Sequence, residues 1–381
     1  MSIRPIAVWF LLVLLAQATI AADRPDVEVL RTPDGGIQPQ AVVDPTGTIH
    51  LVYFKGDPSH GDLFYVHREP KSGGFSKPVR VNSEPEAAVA MGTIRGAQLA
   101  VGRAGRVHVA WNGSRPDFKT ESPMLTTRLN PATGRFEPQR NLMTRTRSLD
   151  GGGTVAADSE GRVYVAWHAR GNDAPEGEVH RRLYVARSID DGETFIPERI
   201  AGDRETGACA CCGTRALADN NGNVYVIYRG ASDGGKERDL ILFTSHDHGD
   251  RFRGGPIGAW RINACPMSSA SMAGAPGGPI AAWETAGQVF FAKATTDATP
   301  IAPPGEPGDR KHPAVAVGDD GRILLAWTEG TGWQRGGSLV WQVFDKSGRP
   351  MDVKGRVDRG IPVWSLPTAV TRPGGGFTVI H

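Results

Sequence analysis

The sequence predicts an all-β chain folded as a β-propeller, and three observations carry that prediction. A two-strand hairpin recurs as AVVDPTGTIHLVYF, QLAVGRAGRVHVAW, TVAADSEGRVYVAW, ALADNNGNVYVIY, SMAGAPGGPIAAW, AVAVGDDGRILLAW and TAVTRPGGGFTVI. The turn glycines of these units, Gly47, Gly105, Gly161, Gly222, Gly278, Gly321 and Gly376, follow one another at intervals of 43 to 61 residues, the period of a propeller blade rather than of a helix. The composition agrees: 49 glycines and 28 prolines among 39% hydrophobic residues suit short strands joined by turns, and no segment sustains a period of 3.6, so almost no helix is expected.

Residues 1–22 stand apart from the repeats. Arg4 precedes an apolar run from Ile6 to Leu15, and the small-residue sites Ala16-Gln17-Ala18 and Ile20-Ala21-Ala22 follow, the pattern of a signal peptide. The expected product is an exported, periplasmic or secreted chain whose residues 23–381 form one propeller domain. No later run is long and apolar enough for a spanning helix, so no membrane span is expected. Without Arg4, 42 basic residues face 41 acidic ones, and no basic tract invites nucleic acid or anionic lipid.

Each unit continues past its hairpin. In the first, Leu63 to His67 and Pro78 to Val81 extend the sheet; in the third, Leu183 to Arg187 and Pro197 to Ile200 do so. Four antiparallel strands arranged radially avoid long open edges. The last hairpin, Pro367 to Ile380, has only two strands, and Val27 to Arg31 precedes the first hairpin without a partner. Their pairing predicts seven blades with the last closed by both termini; six blades, with the terminal hairpin joined to the first sheet, is the alternative.

Between the third and fourth strands of the third unit lies Ser188-Ile189-Asp190-Asp191-Gly192-Glu193-Thr194-Phe195, and a weaker copy follows at Ser245 to Phe252 with Arg251 in place of Thr. In such a turn the Ser188 hydroxyl and Asp190 carboxylate bond nearby backbone, Gly192 supplies positive φ and Phe195 packs into the blade, so these residues, with Thr194 of the same box, are structural. At this box the chain resembles the sialidase-like (BNR/Asp-box) propeller superfamily, a resemblance that extends through the repeats from about residue 38 to the end. It implies a channel-mouth site for a small anionic or glycan ligand. An exo-sialidase of that superfamily uses a Tyr nucleophile with a partner Glu and arginines that hold the substrate carboxylate, roles that fall here on Tyr228, Glu284, Arg95 and Arg229. The family's F/Y-R-I-P motif is absent, with Ile94-Arg95-Gly96-Ala97 its nearest approach. A non-catalytic binding or scaffolding propeller is the other reading.

The meander places the connections between blades, and those between second and third strands, on one face, where a ligand site belongs. Arg95, Arg170 and Arg229 fall there; they fit either an anion clamp or rim ion pairs, since a guanidinium binds carboxylate as a fork. His168 is a base, a ligand or a hydrogen-bonded rim residue. Trp111, Trp167, Trp283 and Trp327 share one repeat position and read as blade packing. Asn112-Gly113-Ser114 fits a glycosylation sequon.

All four cysteines, Cys209, Cys211, Cys212 and Cys265, come from two consecutive inter-blade loops. Two readings stand. An even number in an exported chain suggests two disulfides, one joining Cys265 to a member of the first three and one within that triplet, with the vicinal pair Cys211 and Cys212 disfavoured by geometry. Alternatively, the thiolates and Met267 form a soft set for copper(I) or zinc. The C-x-C-C and C-P pairing resembles that of uncharacterised exported sialidase-like proteins, which implies a shared site.

Overall fold

The computed structural model describes residues 26–114, 121–202 and 206–381, so the leader expected over residues 1–22 lies outside the described residues. Strands dominate; the helical segments among the described residues are the four single 3-10 turns Pro33–Gly35, Arg103–Gly105, Glu178–His180 and Asp233–Gly235. The strands form seven sheets. Their innermost strands are Ile37–Val43, Gln98–Val101, Thr154–Ala157, Arg215–Ala218, Ala270–Ala273, Arg310–Val317 and Thr368–Thr371. Each of these touches the next, and the last touches the first, so seven blades close into a ring.

The hairpin repeat is the inner half of every blade. In blade four, Arg215–Ala218 pairs antiparallel with Val224–Ala231, Arg215 opposite Ile227 and Ala218 opposite Val224. The turn glycines predicted from the repeat all adopt positive φ, from 76° at Gly105 to 108° at Gly278, a region that an L side chain enters only with strain. Residues of the inner strands, among them Ala41, Ala100, Ala156, Ala216 and Val315, line a central channel of about 300 Å³. Larger apolar residues fill the wedges between blades. The four repeat-position tryptophans are buried there as expected, and the indole N–H groups of Trp111 and Trp167 donate to Ala87 O and Thr146 Oγ1.

Blade seven closes with both termini, with one difference from a regular four-strand unit. Val27–Leu30 runs parallel to Phe377–Ile380, Val27 beside Phe377 and Leu30 beside Ile380, and the sheet has three strands. The reason is topological. A strand that leads into the first inner strand must run in the direction of a fourth strand, but no third strand lies between it and Phe377–Ile380, so it pairs directly with the second and is necessarily parallel to it. Blade five is short in a similar way: its fourth position is reduced to one bridge between Phe291 and Ile301.

Candidate functional site at the channel mouth

The connection into blade four is drawn toward the axis before it becomes an inner strand. Gly207–Ala208 pairs with Ala231 and Gly230, the Cys209 amide donates to Arg229 O at 2.8 Å, and the Gly213 amide donates to Ser268 O at 2.9 Å, stitching this loop to the next one. Gly151 leaves the space: a Cβ there would lie 2.3 Å from Cys212 O and 2.7 Å from His168 Nε2. Four sulfurs therefore meet between blades four and five. Cys211 and Cys265 form a disulfide, which is one of the pairings the sequence allowed, while Cys209 and Cys212 are free thiols. Cys209 Sγ lies 3.0 Å from Cys212 Sγ and 3.6 Å from Cys211 Sγ. Met267 packs against the cluster with a left-handed backbone, φ 47°. Burial is graded across it, with Cys209 and Cys212 fully buried, Cys211 nearly so and Cys265 exposed.

Charged groups surround the free thiols. Arg229 is 1% exposed; its guanidinium donates to Ser268 Oγ, Arg238 O and Glu284 O and lies 5.0 Å over the Trp260 ring. Arg238 pairs with Glu178 at 2.6 Å, and Glu178 also accepts from the Ala210 amide. Hydrogen bonding to Cys212, together with burial, pushes the Cys209 thiol far up. Burial opposes ionisation of Cys212, but the Cys209 S–H, the Arg229 charge and the Ser268 hydroxyl outweigh it and hold its thiol below the usual range. Cys209 is accordingly the donor of the pair and Cys212 the sulfur on which negative charge is favoured. His168, 1% exposed, donates from Nε2 to Cys212 O at 2.8 Å; burial and the nearby Arg181 charge hold it at about 4, so it is neutral at neutral pH.

The residues assigned to sialidase-type chemistry are scattered. Tyr228 is 1% exposed, and its ring packs 5.6 Å from Phe243 in the wedge between blades three and four. The residue expected as nucleophile thus sits in inter-blade packing, because its place on the second strand turns the ring sideways into the neighbouring blade. Glu284 is 2% exposed beside Lys311 and His312; its Oε2 accepts the His312 amide at 2.5 Å, its Oε1 lies 3.7 Å from Lys311 Nζ, and burial raises its carboxyl. Arg95 is consumed by Asp150, bonding both its carboxylate and its carbonyl, and by Met91 O. Arg170 bonds Ser148 Oγ and Glu176. Of the two arrangements open to these arginines, an anion clamp or local rim pairing, the structure shows each guanidinium bonded to its own nearby acceptors. Asn112 is fully buried, its amide held by Asp150 O and Gly151 O, which removes it as a glycosylation acceptor.

The three sulfurs of Cys209, Cys211 and Cys212 lie within 4.8 Å of one another, a spacing compatible with a soft metal ion. With Cys211 bound to Cys265, the donors left for copper(I) or zinc are the Cys209 and Cys212 thiolates and the Met267 thioether.

The box residues lie on the opposite face and act as a turn. Ser188 Oγ donates to Asp190 Oδ1 and accepts from the Gly192 amide, while the Thr194 amide and hydroxyl donate to the Asp190 carboxylate. Partial burial opposes ionisation, but these donors hold Asp190 at about 2. Phe195 packs against the blade-three core with Arg140 5.8 Å above its ring.

Sequence reasoning missed the aromatic pair on the mouth face. Trp333, 59% exposed, lies in the connection after Ile323–Glu329, and Trp364 lies in the connection into blade seven; their rings meet edge to face at 4.5 Å. Trp364 has φ 62°, and its carbonyl accepts from Gln38 Nε2 at 2.7 Å. Their signal was available as tryptophans off the repeat position in inter-strand loops, a set that also includes Trp260.

Fold and site define a seven-bladed β-propeller with a disulfide and a buried thiol pair at the channel mouth. No family model matches the chain, and no curated protein does. Solved structures do. An α-L-arabinofuranosidase from Fusarium graminearum in complex with an iminosugar inhibitor is similar over 88% of this chain and 98% of its own, at TM-score 0.54 and 12% identity. An ulvan lyase bound to a GlcA-Rha3S saccharide matches over 88% and 87%, at TM-score 0.54 and 12% identity. A Hadza microbial sialidase matches over 82% of this chain and 66% of its own, at TM-score 0.52 and 13% identity. At such identities the likeness is one of fold, an all-β propeller shared with glycosidases and lyases.

Proposed function

We propose that this chain is a carbohydrate-binding propeller that takes an acidic glycan on its mouth face, with Trp333 as the stacking platform. The observation that carries the reading is the Trp333–Trp364 pair. A large aromatic ring left 59% exposed on the face where propeller ligands sit offers an apolar surface to the C–H face of a sugar ring. The platform is braced from beneath by Trp364, whose left-handed backbone is held by Gln38 and by the Ser365-to-Pro362 turn. Arg335, exposed in the same loop, has no carboxylate partner among the described residues, and its guanidinium folds over Gly332, within reach of an anionic substituent on a sugar stacked at Trp333.

The test is binding of neutral and acidic oligosaccharides by arrayed glycans and calorimetry. Truncating an exposed aromatic anchor typically costs about 2 kcal/mol, so Trp333→Ala is expected to weaken binding by roughly thirtyfold, and Arg335→Ala to weaken acidic glycans selectively. Equal binding by parent and Trp333→Ala would sink the platform. Hydrolysis of a fluorogenic sialoside that falls on Tyr228→Phe would instead restore the exo-sialidase reading, in which Tyr228 and Glu284 are catalytic.

A further inference from the structure

The cysteine cluster stands apart from the glycan-binding reading, which uses none of its sulfurs. We propose that it is a dithiol–disulfide relay, in which the buried Cys209/Cys212 pair exchanges with the Cys211–Cys265 disulfide and passes the oxidised pairing between the floor of the mouth and its surface. Three observations support it. The disulfide has one exposed end, Cys265, and one nearly buried end, Cys211. At the buried end, Cys209 Sγ is in contact with Cys211 Sγ at 3.6 Å and with Cys212 Sγ at 3.0 Å, and the three sulfurs lie within 4.8 Å of one another. Cys209 and Cys212 also stand in C-x-x-C spacing, which allows a disulfide between them.

Exchange proceeds by attack of a thiolate on a disulfide sulfur. Cys212 in its ionised form, hydrogen-bonded by the Ser268 hydroxyl, which in turn accepts from the Arg229 guanidinium, accepts the Cys209 proton. The Cys209 thiolate attacks Cys211 Sγ, the Cys211–Cys265 bond breaks, and its electron pair leaves on Cys265 at the surface. Cys265 takes up a proton from solvent and Cys212 returns one. The Cys212 thiolate then attacks Cys209 Sγ and expels Cys211 as a thiolate. One disulfide and two reduced sulfurs enter, one disulfide and two reduced sulfurs leave, and no external oxidant is consumed. The exposed Cys265 thiol is then available to a disulfide small enough to reach the mouth; glutathione is the probe.

The experiment uses the full chain equilibrated in glutathione redox buffers, quenched in acid, alkylated under denaturation and mapped by mass spectrometry. In the form that carries one disulfide, both the Cys211–Cys265 and the Cys209–Cys212 pairings are expected. Cys209→Ser should lose the second pairing and leave only Cys211–Cys265, and Cys212→Ala, which removes the final nucleophile, should lose the Cys209–Cys212 product as well. Native circular dichroism of both variants separates loss of exchange from loss of fold. A single pairing in the one-disulfide form of the parent overturns the relay. So does a chain with four free thiols in every buffer and stoichiometric copper or zinc by elemental analysis, which would establish the metal site instead.

Discussion

His168 and His312 are buried imidazoles held neutral for the same reason: removal from water disfavours the charged form, and the nearby cations Arg181 and Lys311 add to it. His168 is held at about 4 and His312 at about 3. Both values lie below that of a histidine in an unfolded chain, about 6.5, so the unfolded state binds protons first as pH falls. The stability these residues contribute is whole above pH ~6.5 and is lost progressively as pH drops toward 4 and 3. We expect the melting temperature to fall across that window, and His168→Asn, which keeps a donor for Cys212 O without a titrating ring, to flatten the slope. A profile identical to the parent's would show that His168 is not a source of the acid sensitivity.

Asp190 makes the opposite ionisation useful. Its carboxylate organises the turn by accepting from Ser188 and Thr194, and these donors hold it at about 2, below the unfolded carboxylate. Its contribution is present above pH ~4 and disappears as pH falls toward 2. Loss of a local capping network of this kind costs about 1–2 kcal/mol. Asp190→Ala should therefore lower thermal stability by a few degrees while leaving glycan binding on the opposite face unchanged, an outcome that melting curves beside calorimetry would check.

At the scale of single elements, the strand Val27–Leu30 is held by more than its backbone. Val27 and Val29 pack on the core around Phe377 and Val379, and Glu28 ties blade seven to blade one by accepting from the two terminal nitrogens of the Arg68 guanidinium at 2.9 and 3.0 Å. A two-stranded sheet left without this strand is marginal. Deleting residues 26–32 should lower the melting temperature by many degrees; an unchanged curve would show that Val27–Leu30 does not help to close the ring. Glu28→Ala, which removes the tie and leaves the strand, should cost about 1 kcal/mol because the ion pair is only partly buried.

Across the whole molecule, the ring turns segments far apart in sequence into neighbours. Trp333 and Trp364 lie in different inter-strand loops, and the two cysteine loops belong to consecutive blades, yet each set forms one constellation at the mouth. What the sequence determined by itself was the repeat: alternating strands, turn glycines with positive φ and the turn chemistry of Ser188 to Phe195 are local, because period-two burial and backbone sterics act over a few residues, and the closing role of the first strand followed from counting the strands that the repeats leave unpaired. The convergence of four cysteines also followed, since consecutive blades bring successive inter-blade loops together. What only the tertiary structure decided was where each side chain points and what it meets. Arg95, Arg170 and Arg229 share a face on paper, but each is claimed by a nearby acceptor before it can join the others. Tyr228 lies one residue from Arg229 on the same strand, and strand alternation sends it into the wedge between blades. Sulfur pairing, buried charge and an exposed ring depend on distances of a few ångströms across loops, and those distances are set by packing the blades against one another rather than by spacing along the chain.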